Sequence, residues 1–334
     1  MRLFELARRL IEIESITGNE KQVALFLRDY LAGLDYRITM QEVAPERYNL
    51  QAFAGDPVLV FSTHMDTVPP YFSFREDDEF IYGRGACDAK GIIAAQIEAA
   101  ERLRADGETR VGLLFVVGEE RNSAGAMLAN RNPSGSRYFI DGEPTGNRLA
   151  FASKGSLRVE LIARGRSAHS AYPEQGESAI LKLIDVLQDL RGLELPTDPE
   201  LGLSTCNIGV LEGGTKPNVI PDFARAEVMF RSVVPPGDLK KRLESLVRGR
   251  CEIHHRFEVP VVRMGVMEGF ETTVVSFASD VPLLDRWGKP FLVGPGSILD
   301  AHTDHERLSK QELVAGADLY VNLARRLLAG EEPS

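Results

Sequence analysis

Several acidic and imidazole side chains in this sequence stand just past the ends of apolar runs. The run PVLVFS leads into His64-Met-Asp66, and two prolines then stop the strand. Residues two apart on a strand share a face, so His64 and Asp66 can point the same way. The pair reads either as a polar cap at a sheet edge or as a metal ligand whose ring tautomer is fixed by an aspartate behind it. Four further stretches repeat the placement: GRGACDAKG with Asp88, VVGEERNSAGA with Glu119 and Glu120, FIDGEPTGN with Asp141 and Glu143, and GPGSILDAHTDHE with His302. Singly, each has an ordinary reading: a helix N-cap for Asp88, a solvated turn for Glu119-Glu120, a surface loop for His302. Jointly, two histidines and three carboxylates, one of them shared, suit a pair of zinc-like ions a few ångströms apart. Consecutive glutamates face different ways, so one can bind metal while the other stands beside the activated water as general base.

Such positions need a frame that ends its strands in one place. The opening MRLFELARRLIEIE has helical periodicity, Thr17-Gly-Asn-Glu20 fits a capping box, and KQVALFLRDYLAGL continues as a helix that stops at Gly33. Then follow the strand YRITMQEV, the strand PVLVFST, the helix GIIAAQIEAAERLRA, the strand RVGLLFVVG and the strand YFIDG. That order predicts an α/β domain with a central mixed sheet, in which ligands gather outside the carboxyl ends of the strands. From Lys154 to about Val262 the order becomes β-α-β-β-α-β, the ferredoxin-like pattern. The chain then returns with the strand FLVGPG and a closing helix opened by a second capping box, Ser309-Lys-Gln-Glu312. The expected organisation is an α/β domain over 1–153 and 263–334 that carries the candidate two-metal site, interrupted at 154–262 by an inserted ferredoxin-like domain.

The chain has 334 residues, 43% of them hydrophobic and 26% charged, which excludes disorder and fibrous classes. A net charge of -10 without a basic tract argues against nucleic acid as a partner. No apolar run reaches membrane-spanning length, and the charged, amphipathic start is no secretory signal. Cys87, Cys206 and Cys251, odd in number and widely spaced, fit a reduced cytoplasmic protein better than a disulfide framework.

The segments HMDTVP, YGRGACDAKG, GEE, DGEPTGN, GRSAHSAYP, GGTKPNVIP and GPG with AH, in order along nearly the whole chain, resemble the M20 metallopeptidase family. That family includes acetylornithine deacetylase, succinyl-diaminopimelate desuccinylase, carboxypeptidase G2-like enzymes and aminoacylase. The resemblance implies two divalent ions, zinc first and cobalt or manganese as alternatives. His64 and Glu143 would hold one ion, Glu120 and His302 the other, and Asp88 would bridge them. Asp66 would brace the His64 ring and Glu119 would be the base. The peptide after the bridging aspartate is often cis in the family, which marks Asp88-Ala89. The resemblance makes 1–153 and 263–334 a catalytic domain with a co-catalytic metal site and 154–262 a lid and dimerisation domain. In that inserted domain His169 would stabilise the oxyanion, commonly from the partner subunit of a homodimer formed through it. Asn218 and Arg231 would bind the substrate carboxylate, although Arg231 reads equally well as a strand-surface ion pair. His254 and His255 lie outside every motif, and His305 is set aside because the ligand directly follows the alanine. The implied reaction is removal of the acyl group from a small N-acyl amino acid, acetylornithine deacetylase-like. Alternatives are a dipeptidase, carboxypeptidase or desuccinylase, and outside catalysis a binding relative. The stretch RNSAGA departs from the glycine-rich acidic run of relatives, and the chain is short for the family; both bear on the substrate.

Overall fold

The strand Leu59–His64 is buried at every residue, as its unbroken apolar run demands. In the computed structural model, which describes residues 2–333, this strand lies inside a six-stranded sheet. From edge to edge the strands are Arg37–Ala44, Arg47–Phe53, Val111–Val116, Leu59–His64, Tyr138–Asp141 and Lys289–Leu292. The last four run parallel, Arg47–Phe53 joins them antiparallel and Arg37–Ala44 pairs antiparallel with it in turn, so the sheet is mixed. Parallel strands bring their carboxyl ends to one side. His64 and Asp141 are the last residues of their strands, and Glu119 and Glu143 follow within a few residues of two strand ends.

Helix Arg2–Glu12 buries Leu3, Leu6, Ala7, Leu10 and Ile11, the spacing of one helical face. Helix Lys90–Ala105 is buried along nearly its whole length and shares a core with Leu313, Ala317, Tyr320 and Val321 of the closing helix Lys310–Leu328. This unit holds the chain up to Phe151, Met264–Thr273 and the chain from Ser279 onward. A second unit holds Ala152–Arg263 and Val274–Ala278. Its four strands are antiparallel in the spatial order Thr205–Gly213, Phe223–Ser232, Gly155–Arg164, Glu252–Val259. Helices Ala179–Arg191 and Pro236–Val247 complete the β-α-β-β-α-β sequence and supply Leu183 and Leu239 to its core beside Val159, Val228 and Phe230. Among the described residues no helix is long and apolar enough to cross a membrane.

Two local expectations need correction. The strand Arg47–Phe53 pairs with both Arg37–Ala44 and Val111–Val116, yet its sequence, RYNLQAF, is too polar to announce a strand. Thr17 caps no helix: Glu20 occupies the N-cap position without a side-chain cap bond. Both residues have charged partners instead, which are stronger than a neutral cap. Thr17 Oγ1 donates to Asp66 Oδ2 at 2.7 Å, and Glu20 accepts two hydrogen bonds from Arg47. Ser309 does cap the closing helix, its side chain accepting from the Glu312 N–H.

Candidate metal centre and active site

His64 Nδ1 lies 2.9 Å from the backbone carbonyl of Asp66. A carbonyl can only accept, so Nδ1 carries a hydrogen and, in the neutral ring, Nε2 presents its lone pair. That lone pair faces Asp88 Oδ1 at 3.0 Å. Two lone pairs so close repel each other unless a cation, either a proton or a metal ion, lies between them. Against burial, Asp66 and Asp88 raise this ring well above its usual range, so it holds a proton there until a metal takes its place. A second histidine repeats the pattern, with His302 Nε2 2.9 Å from Glu120 Oε1 and 3.2 Å from Asp88 Oδ2. Ligand atoms of His64, Asp88 and Glu143 all fall within 4.8 Å of one another, as do those of Asp88, Glu120 and His302. Asp88 belongs to both groups and turns one oxygen toward each histidine. It is no N-cap, since Ala89 holds that position ahead of helix Lys90–Ala105. The Asp88-Ala89 peptide is cis.

The electrostatics fit divalent ions. Burial, reinforced by Glu119 and Asp88, pushes Glu143 well above the usual carboxylate range. Burial likewise lifts Glu119, with Asp280, Glu120 and Asp88 adding to the effect against His64. Hydrogen bonds to Asp88 and Glu120 push His302 up to about 10. Burial alone would raise Asp88, but its bonds with His302 and His64 hold it below the usual range. Crowded carboxylates around two imidazoles form a nitrogen and oxygen donor set suited to zinc, cobalt or manganese, whose charge relieves the repulsion.

Asp66 does more than its place beside His64 implies. Its carboxylate stands 3.6 Å from the ring Nδ1, which the Asp66 carbonyl already engages. The carboxylate instead accepts the backbone N–H groups of Gly118 at 2.8 Å and of Glu119 and Glu120 at 3.2 Å each. It therefore fixes the turn that carries Glu119 and Glu120. Glu119 belongs to neither ligand group, and His305 pairs with Asp304 at the surface, outside both. Among the buried acids of this unit that sequence reasoning missed are Glu306 and Asp280. Burial lifts the Asp280 carboxyl to about 6, against the opposing pull of Ser123 and His64.

The other expected site residues lie in the second unit. His169 pairs with Val219 in a short ladder, and the Ser170 N–H donates to the Asn218 carbonyl at 3.1 Å, so these two exposed residues are neighbours. The Ala171 N–H donates to His169 Nδ1 at 3.1 Å, which puts the ring proton on Nε2 and leaves it free to donate. Arg231 is half-buried, and its Nη1 donates to Ser156 Oγ at 2.9 Å. Among the described residues no carboxylate pairs with it, so the surface ion pair is absent. Arg231 stands eight residues along its strand from Phe223, roughly 26 Å, and His169 lies beyond the Phe223 end.

A family model described as Peptidase family M20/M25/M40 matches residues 60–326. A peptidase M20 domain-containing protein of Schizosaccharomyces pombe is 36% identical over 336 residues, covering 95% of this chain and 83% of its own length. A protein of Aspergillus clavatus named "Probable carboxypeptidase" is 34% identical over 369 residues, covering 98% and 89%. A solved tripeptidase from Staphylococcus aureus superposes with a TM-score of 0.80 at 20% identity, covering 97% of this chain and 98% of that one, a likeness of fold. The chain belongs to peptidase family M20/M25/M40, and is a metal-dependent hydrolase acting on peptide or amide bonds.

Proposed function

We propose that this protein hydrolyses the amide bond preceding an amino acid with a free α-carboxylate, in a short peptide or an N-acyl amino acid, with two divalent ions, zinc foremost. The observation that carries the reading is the pair of donor groups sharing Asp88, with Glu119 adjacent and in neither. His64, Glu143, Glu120, His302 and the shared Asp88 would hold the ions, which supply polarisation of the scissile carbonyl and a water acidic enough to attack it. Glu119, its backbone held by Asp66, takes a proton from that water. The water oxygen bonds to the acyl carbon, the C–N bond breaks, and Glu119 delivers the proton to the departing amine. His169 Nε2–H donates to the oxyanion. Asn218 and Arg231 receive the carboxylate, Arg231 being a guanidinium with no acidic partner among the described residues.

The name of the Aspergillus clavatus relative favours short peptides; the sequence motifs favour acylated amino acids such as N-acetylornithine. One experiment separates them. Chelator-stripped protein is reloaded with zinc, cobalt or manganese and assayed on dipeptides, tripeptides and N-acetyl amino acids, each with a free or an amidated carboxyl. Stripping should abolish turnover, reloading should restore it, and amidated substrates should resist. A protein that binds metal and amino acids but cleaves nothing would overturn the reading in favour of a binding relative. The free state of all three cysteines supports a reducing, cytoplasmic setting.

A homodimer through the second unit belongs to the same proposal. Leu181 and Ile184, three residues apart on helix Ala179–Arg191, are 62% and 44% exposed, and Leu211, on the edge strand Thr205–Gly213, is 58% exposed. Apolar side chains beside an unpaired strand edge support a two-fold contact there.

A further inference from the structure

Glu306 follows His302 by four residues and is completely buried. Its Oε1 accepts the backbone N–H groups of Gly85, Cys87 and Asp88, each at 3.1 Å. Its Oε2 accepts from Arg84 Nη1 at 2.7 Å, and Arg84 is itself only 1% exposed. We propose that Glu306 is a positioning residue for the shared ligand Asp88. The inference rests on the metal reading above and adds to it.

An ordinary core ion pair would account for the bond to Arg84. It does not account for the other oxygen, whose three N–H donors all lie in the segment ending at Asp88. A carboxylate holding several N–H groups fixes the peptide planes that carry them, because each lost bond would leave a buried donor unpaired. The Asp88 side chain must place one oxygen toward His64 and the other toward His302. Metal ligation tolerates displacements of only a few tenths of an ångström, so a loosened backbone at 85–88 would misplace both oxygens together. Glu306 also sits on the segment that carries His302. One side chain thus ties the shared ligand to a ligand of the second ion, much as Asp66 ties the end of the His64 strand to the Glu119-Glu120 turn.

The test compares Glu306→Gln with Arg84→Met. Both break the ion pair and both should lower the unfolding temperature of the metal-free protein. Only Glu306→Gln also removes the charged acceptor from the three N–H groups. Zinc affinity and stoichiometry are measured on folded protein by competition with a chromogenic chelator. Glu306→Gln should bind zinc about 10- to 100-fold more weakly, the range for partners that orient metal ligands, and Arg84→Met should stay much closer to wild type. Glu306→Asp, which keeps the charge, should recover part of the affinity and replaces Glu306→Gln if that variant does not fold. Equal loss in Glu306→Gln and Arg84→Met, unchanged affinity in Glu306→Gln, or failure of both Glu306 variants to fold would assign the residue to general stability and overturn the inference. Wild type measured alongside separates the two readings, because a wild-type chain that takes up no divalent ion defeats the proposed function first.

Discussion

Glu119 and Glu120 share a turn and an anchor, since the Asp66 carboxylate accepts both of their N–H groups, yet only Glu120 reaches a histidine. Their amide variants should therefore fail differently. Glu119→Gln keeps the shape but cannot take a proton, so turnover should fall by about 100- to 10,000-fold with metal content unchanged. Glu120→Gln should lose metal, with activity partly restored by excess zinc. Metal analysis beside initial rates checks this, and matching losses in the two variants would dissolve the division of labour. The proposed ligands were legible in sequence as candidates because His64, Asp88, Glu120, Glu143 and His302 each follow an apolar run closely or stand in a recognisable motif, and the structure draws them into two groups. The anchors were not. Asp66 stands out in sequence only through its neighbour His64, and Glu306 does not stand out at all, because their main partners are backbone N–H groups of distant turns. Side-chain spacing carries no record of which way a distant peptide N–H points.

Elements were legible where burial follows periodicity. Leu59–His64 is buried on both faces and reads as one apolar run, whereas strand Phe223–Ser232 buries every second residue and reads as an alternation. Arg47–Phe53 announces neither pattern, since its polar residues are occupied by partners: Arg47 bonds Glu20, and Asn49 bonds the Gly125 carbonyl. The two capping boxes make the same point in opposite directions. Ser309 turns its side chain to the Glu312 N–H and caps, while Thr17 has Asp66 within reach and does not. Ser309→Ala should thus destabilise the protein by about 0.5–1 kcal/mol, the cost of an uncapped helix start. Chemical denaturation of the metal-free chain measures it. Zinc affinity should be unchanged, because the closing helix contributes none of the proposed ligands.

At the scale of the whole molecule the question is how many chains build one site. Within the second unit, His169 and Asn218 lie beyond one end of strand Phe223–Ser232, and Arg231 stands near the other end, roughly 26 Å away. A dipeptide or N-acyl amino acid is far shorter than that. If His169 and Arg231 hold the roles proposed for them, one copy of the unit cannot offer both to the same substrate, whereas two copies related by a two-fold axis could. The β-α-β-β-α-β order was legible in sequence, but this separation follows from strand register, which alternating hydrophobicity leaves open. If His169 acts across subunits, mixing His169→Ala with Glu119→Gln should restore activity. The heterodimer would contain one site with both wild-type groups, so a random equal mixture should reach about a quarter of wild-type turnover. The two chains carry different tags so that heterodimers can be isolated and assayed alone, where about half of wild-type turnover is expected. Inactive heterodimers, or a fully active monomer, would place His169 and Glu119 in sites built by one chain and return Arg231 to a structural role on its strand.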